Sequence, residues 1–270
     1  MTVSPSISAT VPTSLEPASL AGAPGVPFTR LVRTELRKLT DTRAGKWLVI
    51  AIAAITPIVV AVMLVTAKSQ TLTYDKFVDI TQTPQKFLLP VLGILTITTE
   101  WSQRTGLITF TLAPQRGRVL GAKAAATLLL GLLVIAIAFI AAALGNLLGV
   151  ALRHGNGSWS FGLSGFRDIL VVQLTGLAQG LAFGMLLLIS AAAIIAYYVL
   201  PTLSSLAFGS IPALKSDKAW FDLNSAQSPL YNHDITGRGW AELLATVTIW
   251  IAIPAAFGVV RVLRSEIKST

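Results

Sequence analysis

The sequence predicts an all-α, polytopic membrane protein of six transmembrane helices, preceded by a cytoplasmic amphipathic interface helix. Three observations predict it. First, 53% of the 270 residues are hydrophobic and only 12% are charged, a composition foreign to soluble domains. Second, the apolar runs are long and unalternating, so helices rather than the period-two strands of a barrel satisfy the backbone in lipid. Third, the basic residues collect in alternate connections.

Taken in order, residues 1–27 are rich in Ser, Thr, Pro and Ala and lack any basic residue. They have neither the charged start nor the apolar core of a signal peptide, and are expected to be a disordered cytoplasmic tail. Residues 28–270 then form one six-span unit. In Phe28 to Leu39 the residues Phe28, Leu31, Val32, Glu35, Leu36 and Leu39 recur at helical spacing, while Arg30, Arg33, Arg37 and Lys38 fall elsewhere. This predicts a basic helix too short to span, lying in the interface with its apolar side chains dipped toward the acyl chains. A turn over Asp41 to Gly45 follows.

Apolar runs predict spans at about 47–66, 80–99 and 119–150. The run from Ile169 to Ile211 is about 43 residues, twice what a ~30 Å core needs at ~1.5 Å per residue. It must therefore reverse, near Ser190, giving spans at about 169–188 and 191–211, and the last span covers about 240–262. With the N-terminus inside, thirteen of the 21 Lys and Arg residues fall in inner segments and eight in outer ones, so the positive-inside rule places both termini in the cytoplasm. The net charge of +9 then reflects orientation and attraction to anionic lipid. No basic and aromatic module stands clear of the membrane, so nucleic-acid binding is set aside.

Between the second and third spans lies a polar, turn-rich stretch from Glu100 to Lys123. A carboxylate at a span's edge costs a few kcal/mol if left charged toward lipid, so Glu100 is expected to face water, an Arg such as Arg104, or a partner protein. The residues Glu100-Trp101-Ser102-Gln103-Arg104-Thr105-Gly106, then Thr109-Phe110-Thr111-Leu112-Ala113-Pro114-Gln115-Arg116-Gly117-Arg118-Val119-Leu120 and Lys123, closely resemble the first intracellular loop of type-2 ABC transporter permeases, especially small bacterial ones. The basic helix before the first span, the six-span plan and the size share in the resemblance.

The resemblance implies a multi-pass subunit of a bacterial plasma membrane, forming a homodimer or a heterodimer with a second permease. It also implies two copies of a separate ABC ATPase on the cytoplasmic face, and movement of a substrate, with export the family default. Glu100, Arg104, Thr105, Gly106, Pro114, Arg116, Arg118 and Lys123 would couple to that ATPase, and Arg30, Arg33, Glu35, Arg37 and Lys38 would form its interface helix. ATP and Mg would sit on the partner, with no cofactor bound by this chain and no enzymatic role for it. The residues agree that the motor lies elsewhere: the nearest approach to a phosphate loop, Gly117 to Ala124, has Ala122 where the second Gly is needed and Ala124 where the Mg²⁺-binding hydroxyl is needed. A departure from the family is the connection between spans four and five, whose only polar residue is Ser190.

Within the spans, Asn146, Gln173, Gln179, Tyr197 and Tyr198 are the notable polar side chains. Gly176, Gly180 and Gly184 form a small-xxx-small stripe that signals close helix packing. Pro57, Pro90, Pro201 and Pro254 are candidate kinks.

A different reading comes from Gly162-Leu163-Ser164-Gly165, which matches the G-x-S-G of rhomboid-like intramembrane proteases. It places Ser164 in an outer loop with His154 and His233 as candidate bases, and geometry argues against it because neither His falls in a helix. The two histidines lack a third ligand at metal-binding spacing, and with no Cys thiolate chemistry is excluded. Asn156-Gly157-Ser158 matches a glycosylation acceptor, a cheap pattern. A third reading keeps the ABC complex and drops transport, making the chain a structural or sensory membrane subunit. The outer segment from about Pro212 to Gly239, with Trp220, Phe221, Tyr231 and several charges, has the residues either to recognise a ligand or to cap the bundle, and loop packing is the expected role.

Overall fold

Thr42 alone separates the first two helices. In the computed structural model, which describes residues 26–102 and 116–264, α1 (Phe28–Asp41) ends one residue before α2 (Arg43–Thr66) begins. The Thr42 side chain caps α2 by accepting the Gly45 N–H at 3.2 Å. The turn expected over residues 41–45 is thus shorter, with Arg43 to Gly45 already helical. Only glycine fits at position 45, because a Cβ there would collide with the Leu39 carbonyl oxygen.

After a short turn, α3 runs from Tyr74 to Ser102 and α4 from Arg116 to Arg153. At 38 residues, α4 is roughly 57 Å long, well beyond a hydrocarbon core. The long run then splits as its length requires: α5 (Leu163–Leu187) ends in Leu188, whose φ of 59° is left-handed, and α6 starts at Ser190. A 3₁₀ stretch at Pro212–Asp217 leads into the short α7 (Lys218–Phe221) and α8 (Leu223–Tyr231). The last long helix joins α9 (Gly237–Val247) to α10 (Ile253–Arg264) through a π turn at Thr248–Ala252. Pro254 explains the π turn: its ring would clash with a carbonyl one turn back, and widening the preceding turn relieves the clash.

The fold is all-α, with several long apolar helices consistent with a multi-span membrane protein. Among the described residues, five segments are long and apolar enough to cross a bilayer: α2, α4, α5, α6 and the continuous Gly237–Arg264 helix. The expected six are therefore five by these criteria, and the exception is α3. It carries Asp75, Lys76, Asp79 and Lys86 toward one end and Glu100 at the other. Yet α3 is the most enclosed helix, with Thr81, Gln82, Gln85, Leu89, Leu92, Ile94 and Ile97 all buried. Other helices, rather than lipid, surround it.

The tightest seam joins α3 to α5, and glycines on both sides permit it. A Cβ on Gly180 would collide with the Pro90 carbonyl, and one on Gly93 would lie 2.6 Å from the Leu177 carbonyl oxygen. Gly184 faces Ile94, and Gly176 faces Pro90 and the Tyr197 hydroxyl. The stripe thus works within one chain, by letting two backbones approach.

We call the end of the bundle that carries α1 the inner end. There Leu39, Leu48, Ile52, Leu89, Leu92, Ala126 and Leu130 share one core, with Val32 and Leu36 packed against it. This corrects the expectation for α1: part of its apolar face packs on protein, not among acyl chains. At the opposite end Val172, Leu223, Ala226, Leu230 and Leu243 form a cluster, so α8 caps the bundle there. Along α6 only Ala193 and Pro201 are buried, which leaves most of its surface outward.

Candidate functional site: a buried ion cluster at the inner end

Glu35 interrupts the apolar stripe of α1 one turn before Leu39, and both are buried. A carboxylate enclosed at such a position needs cations, and two are supplied. Lys123, in the second turn of α4, places Nζ 2.6 Å from Glu35 Oε2 and 2.9 Å from Glu100 Oε1 at the end of α3. Lys38 Nζ lies 2.8 Å from Glu35 Oε1 and 3.0 Å from Glu100 Oε1. Two carboxylates and two ammonium groups from three helices thus form a neutral cluster. The side chains of Glu35, Glu100 and Lys123 are each 6% exposed or less, whereas that of Lys38 is 39% exposed.

Enclosure makes these charges costly to separate. Removing one member of a buried pair typically costs about 3–5 kcal/mol, because its partner is left uncompensated. Burial by itself would lower the pKa of Lys38, but the hydrogen bond to Glu35 and the field of Glu100 outweigh it and hold the ammonium above its ordinary 10.5. Beside the cluster a cavity of about 180 Å³ is lined by its four residues together with Thr42, Leu48, Leu92, Thr96 and Thr99. The inner end therefore has a charged joint with open space next to it.

Other long-range ties converge on the same end. Arg116, the first residue of α4, donates to the Leu263 carbonyl at 3.2 Å, and Arg118 donates to the Val26 carbonyl at 3.1 Å. Arg261 donates to the Leu186 carbonyl at 2.6 Å. Ser190 and Thr98 hydroxyls meet at 2.7 Å, so the polar residue of the α5–α6 connection is bonded to α3. Arg30, Arg33 and Arg37 stay exposed on α1. Arg104, Thr105, Gly106 and Pro114 lie outside the described residues, as do residues 1–25 of the expected tail.

Glu100 is paired with Lys38 and Lys123, while Arg104, a partner expected for it, lies outside the described residues. The sequence pattern groups Lys38 with the exposed basic residues and does not join Glu35 to Lys123. One signal was visible: a glutamate on the apolar face of an amphipathic helix requires a buried cation.

At the outer end, Asp168 is fully buried and takes Arg167 at 2.7 Å and His233 Nδ1 at 3.0 Å. Ser164 lies in the first turn of α5 rather than in a loop. Among the described residues no hydrogen bond joins it to His154 or His233, whose ring is engaged with Asp168, so no nucleophile and base are assembled. Asn146 donates to the Gly157 and Ser158 carbonyls at 3.3 and 3.4 Å, a tether for the α4–α5 connection. Gln173 donates to Gln82 at 3.0 Å and Tyr198 to the Phe87 carbonyl at 2.6 Å.

Neither a protein-family model nor a curated protein sequence matches this chain. What fold and site define is an all-α, multi-span-like protein whose inner end is tied together by a buried, neutral ion cluster.

Proposed function

We propose that the chain is the membrane-spanning permease subunit of an ABC transporter, moving a substrate outward under the drive of ATP hydrolysis on a separate ATPase. The observation that carries this reading is the Glu35–Lys38–Glu100–Lys123 cluster. It binds α1 to the ends of α3 and α4 that flank residues 103–115. A stroke delivered to α1 or to that connection is thereby shared by three helices at once. The resemblance of residues 100–123 to the family's first intracellular loop supports the same assignment, and the absence of a phosphate loop from the sequence leaves the motor to a partner.

On this reading α3 is the sixth span, shielded from lipid by its neighbours, and both termini are cytoplasmic in a bacterial plasma membrane. The unit is a dimer of permeases with two ATPase subunits holding ATP and Mg²⁺. The test is copurification of the tagged chain with a P-loop ATPase, followed by reconstitution in vesicles. Lys123→Ala and Glu100→Ala are expected to lower ATP-driven transport, and failure of any ATPase to copurify would sink the proposal. Topology is tested separately, because the chain has no Cys: Ser69→Cys and Ser216→Cys are expected to react with an impermeant maleimide from outside, and Thr29→Cys only after lysis.

A further inference from the structure

The outer half of the bundle holds a second polar cavity that the ion cluster does not use. It measures about 270 Å³ and lies among α3, α5, α6 and α8, and a smaller space of about 30 Å³ shares Lys86, Val172, Gln173 and Tyr231 with it. Lys86 Nζ sits 4.0 Å from the centroid of the Tyr231 ring. Among the described residues Lys86 forms no ion pair. Asp79 and Asp168 border the smaller space, but Asp79 pairs with Lys76 at 3.4 Å and Asp168 is held by Arg167 and His233.

The amides nearby are also unmet. Gln179, 2% exposed, lines the larger cavity with its Nε2 lacking a partner. Gln82 lines the smaller one: its Oε1 accepts from Gln173 at 3.0 Å, while its Nε2 has no partner. The ammonium and both open amide groups are donors. An unmet buried donor costs about 1–3 kcal/mol, so a fitting ligand brings acceptors and negative charge. Phe87, Tyr197 and Tyr198 line the same space and offer aromatic faces to an apolar body.

The geometry points to this cavity as a binding site for an acidic amphiphile, its carboxylate or phosphate head against Lys86 and Gln179 and its apolar body along Phe87 and Tyr198. That this ligand is the transported substrate rests on the permease reading; its binding does not. Lys86 lies roughly 21 Å along α3 from Glu100, so the site is remote from the inner cluster, in the half of the bundle from which an exporter would release its cargo.

The test titrates 11-(dansylamino)undecanoic acid and its methyl ester into the purified full chain in maltoside detergent, reading dansyl fluorescence. The acid is expected to bind about tenfold tighter than the ester, as one charge-assisted hydrogen bond provides. Lys86→Gln removes that preference, Lys86→Arg keeps it, and Gln179→Leu weakens the acid severalfold while leaving the ester unchanged. Displacement by dioleoyl phosphatidate alone assigns the head group to a lipid, and displacement by decanoate assigns it to a free acid; either supports the site. Equal binding of acid and ester, displacement by neither competitor, or an unchanged preference in a Lys86→Gln protein of native thermal midpoint overturns it. No nucleotide or ATPase enters this assay, so its failure is distinct from a failure of ATPase copurification.

Discussion

At the inner end, Glu35, Lys38, Glu100 and Lys123 come from three helices and neutralise one another across as many as 88 positions of sequence. At the outer end most of the described ion pairs join near neighbours. Asp168 pairs with Arg167, Lys218 approaches Asp222 at 3.9 Å, and Arg238 meets Glu242 at 2.8 Å; His233 reaching Asp168 is the exception. Short-range pairs stabilise the local turn that contains them. Long-range buried pairs instead fix the relative positions of helices, and they resist separation because each bare charge is expensive. One end is thus built as a cap and the other as a joint.

The largest effect should come from breaking the joint at its most buried cation. Lys123→Met takes from Glu35 and Glu100 the buried cation they share, and should cost about 3–5 kcal/mol, read as a lower thermal midpoint in detergent. Adding Glu35→Gln and Glu100→Gln to that variant should recover much of the loss, since fewer bare charges remain. A Lys123→Met protein as stable as the native one would mean that the cluster is not a joint. Lys38 responds to pH in a known direction. Its raised pKa means its contribution is complete below the ordinary 10.5 and is lost only as pH climbs past the higher folded value. Unfolding midpoints of native and Lys38→Met proteins should therefore differ by a constant amount between pH 6 and 9 and converge at more alkaline pH.

The seam between α3 and α5 serves both ends, and comes next in size. Gly180→Ala places a methyl against the Pro90 carbonyl and should cost about 1–3 kcal/mol by overpacking. Gly117→Ala is its control, since a Cβ there meets nothing within 4 Å. Equal midpoints for the two variants would show that the backbones do not approach as described. Asp168→Asn tests the cap: it weakens the ties to Arg167 and His233 and should cost about 1.5–3 kcal/mol, leaving the inner cluster intact.

The comparison also explains what could be read from the sequence. Most of the spans were legible because lipid-facing helices such as α2 and α6 are apolar nearly throughout, and the reversal near Ser190 followed from length alone. The start of α3 was only partly legible: the span expected at about 80–99 takes in Thr81, Gln82 and Gln85, but the helix begins earlier, at Tyr74, and only the packing shows that helices rather than lipid surround those polar residues. The joint was half legible. Glu100 and Lys123 stood out as charges at span edges, but pairing them with Glu35 and Lys38 needs α1 folded back across the bundle. That fold depends on the one-residue elbow at Thr42 and the clearance at Gly45, neither of which has a periodic signature.

The smallest expected change in stability is the most informative about the joint. Arg116 begins α4 and donates to the Leu263 carbonyl at an exposed position, and loss of that bond in Arg116→Ala should cost about 0.5–1.5 kcal/mol. The same residue borders the connection through which, on the permease reading, the ATPase pushes. Stability and coupling then separate: Arg116→Ala should fold and copurify with the ATPase while ATP-driven transport drops severalfold. An outer-end substitution of similar size, Arg238→Ala, breaks only an i, i+4 pair worth about 0.3–0.5 kcal/mol and should leave transport unchanged. If both variants transport alike, the entrance to α4 does not carry the stroke, and transmission would have to run through α1 and the cluster alone.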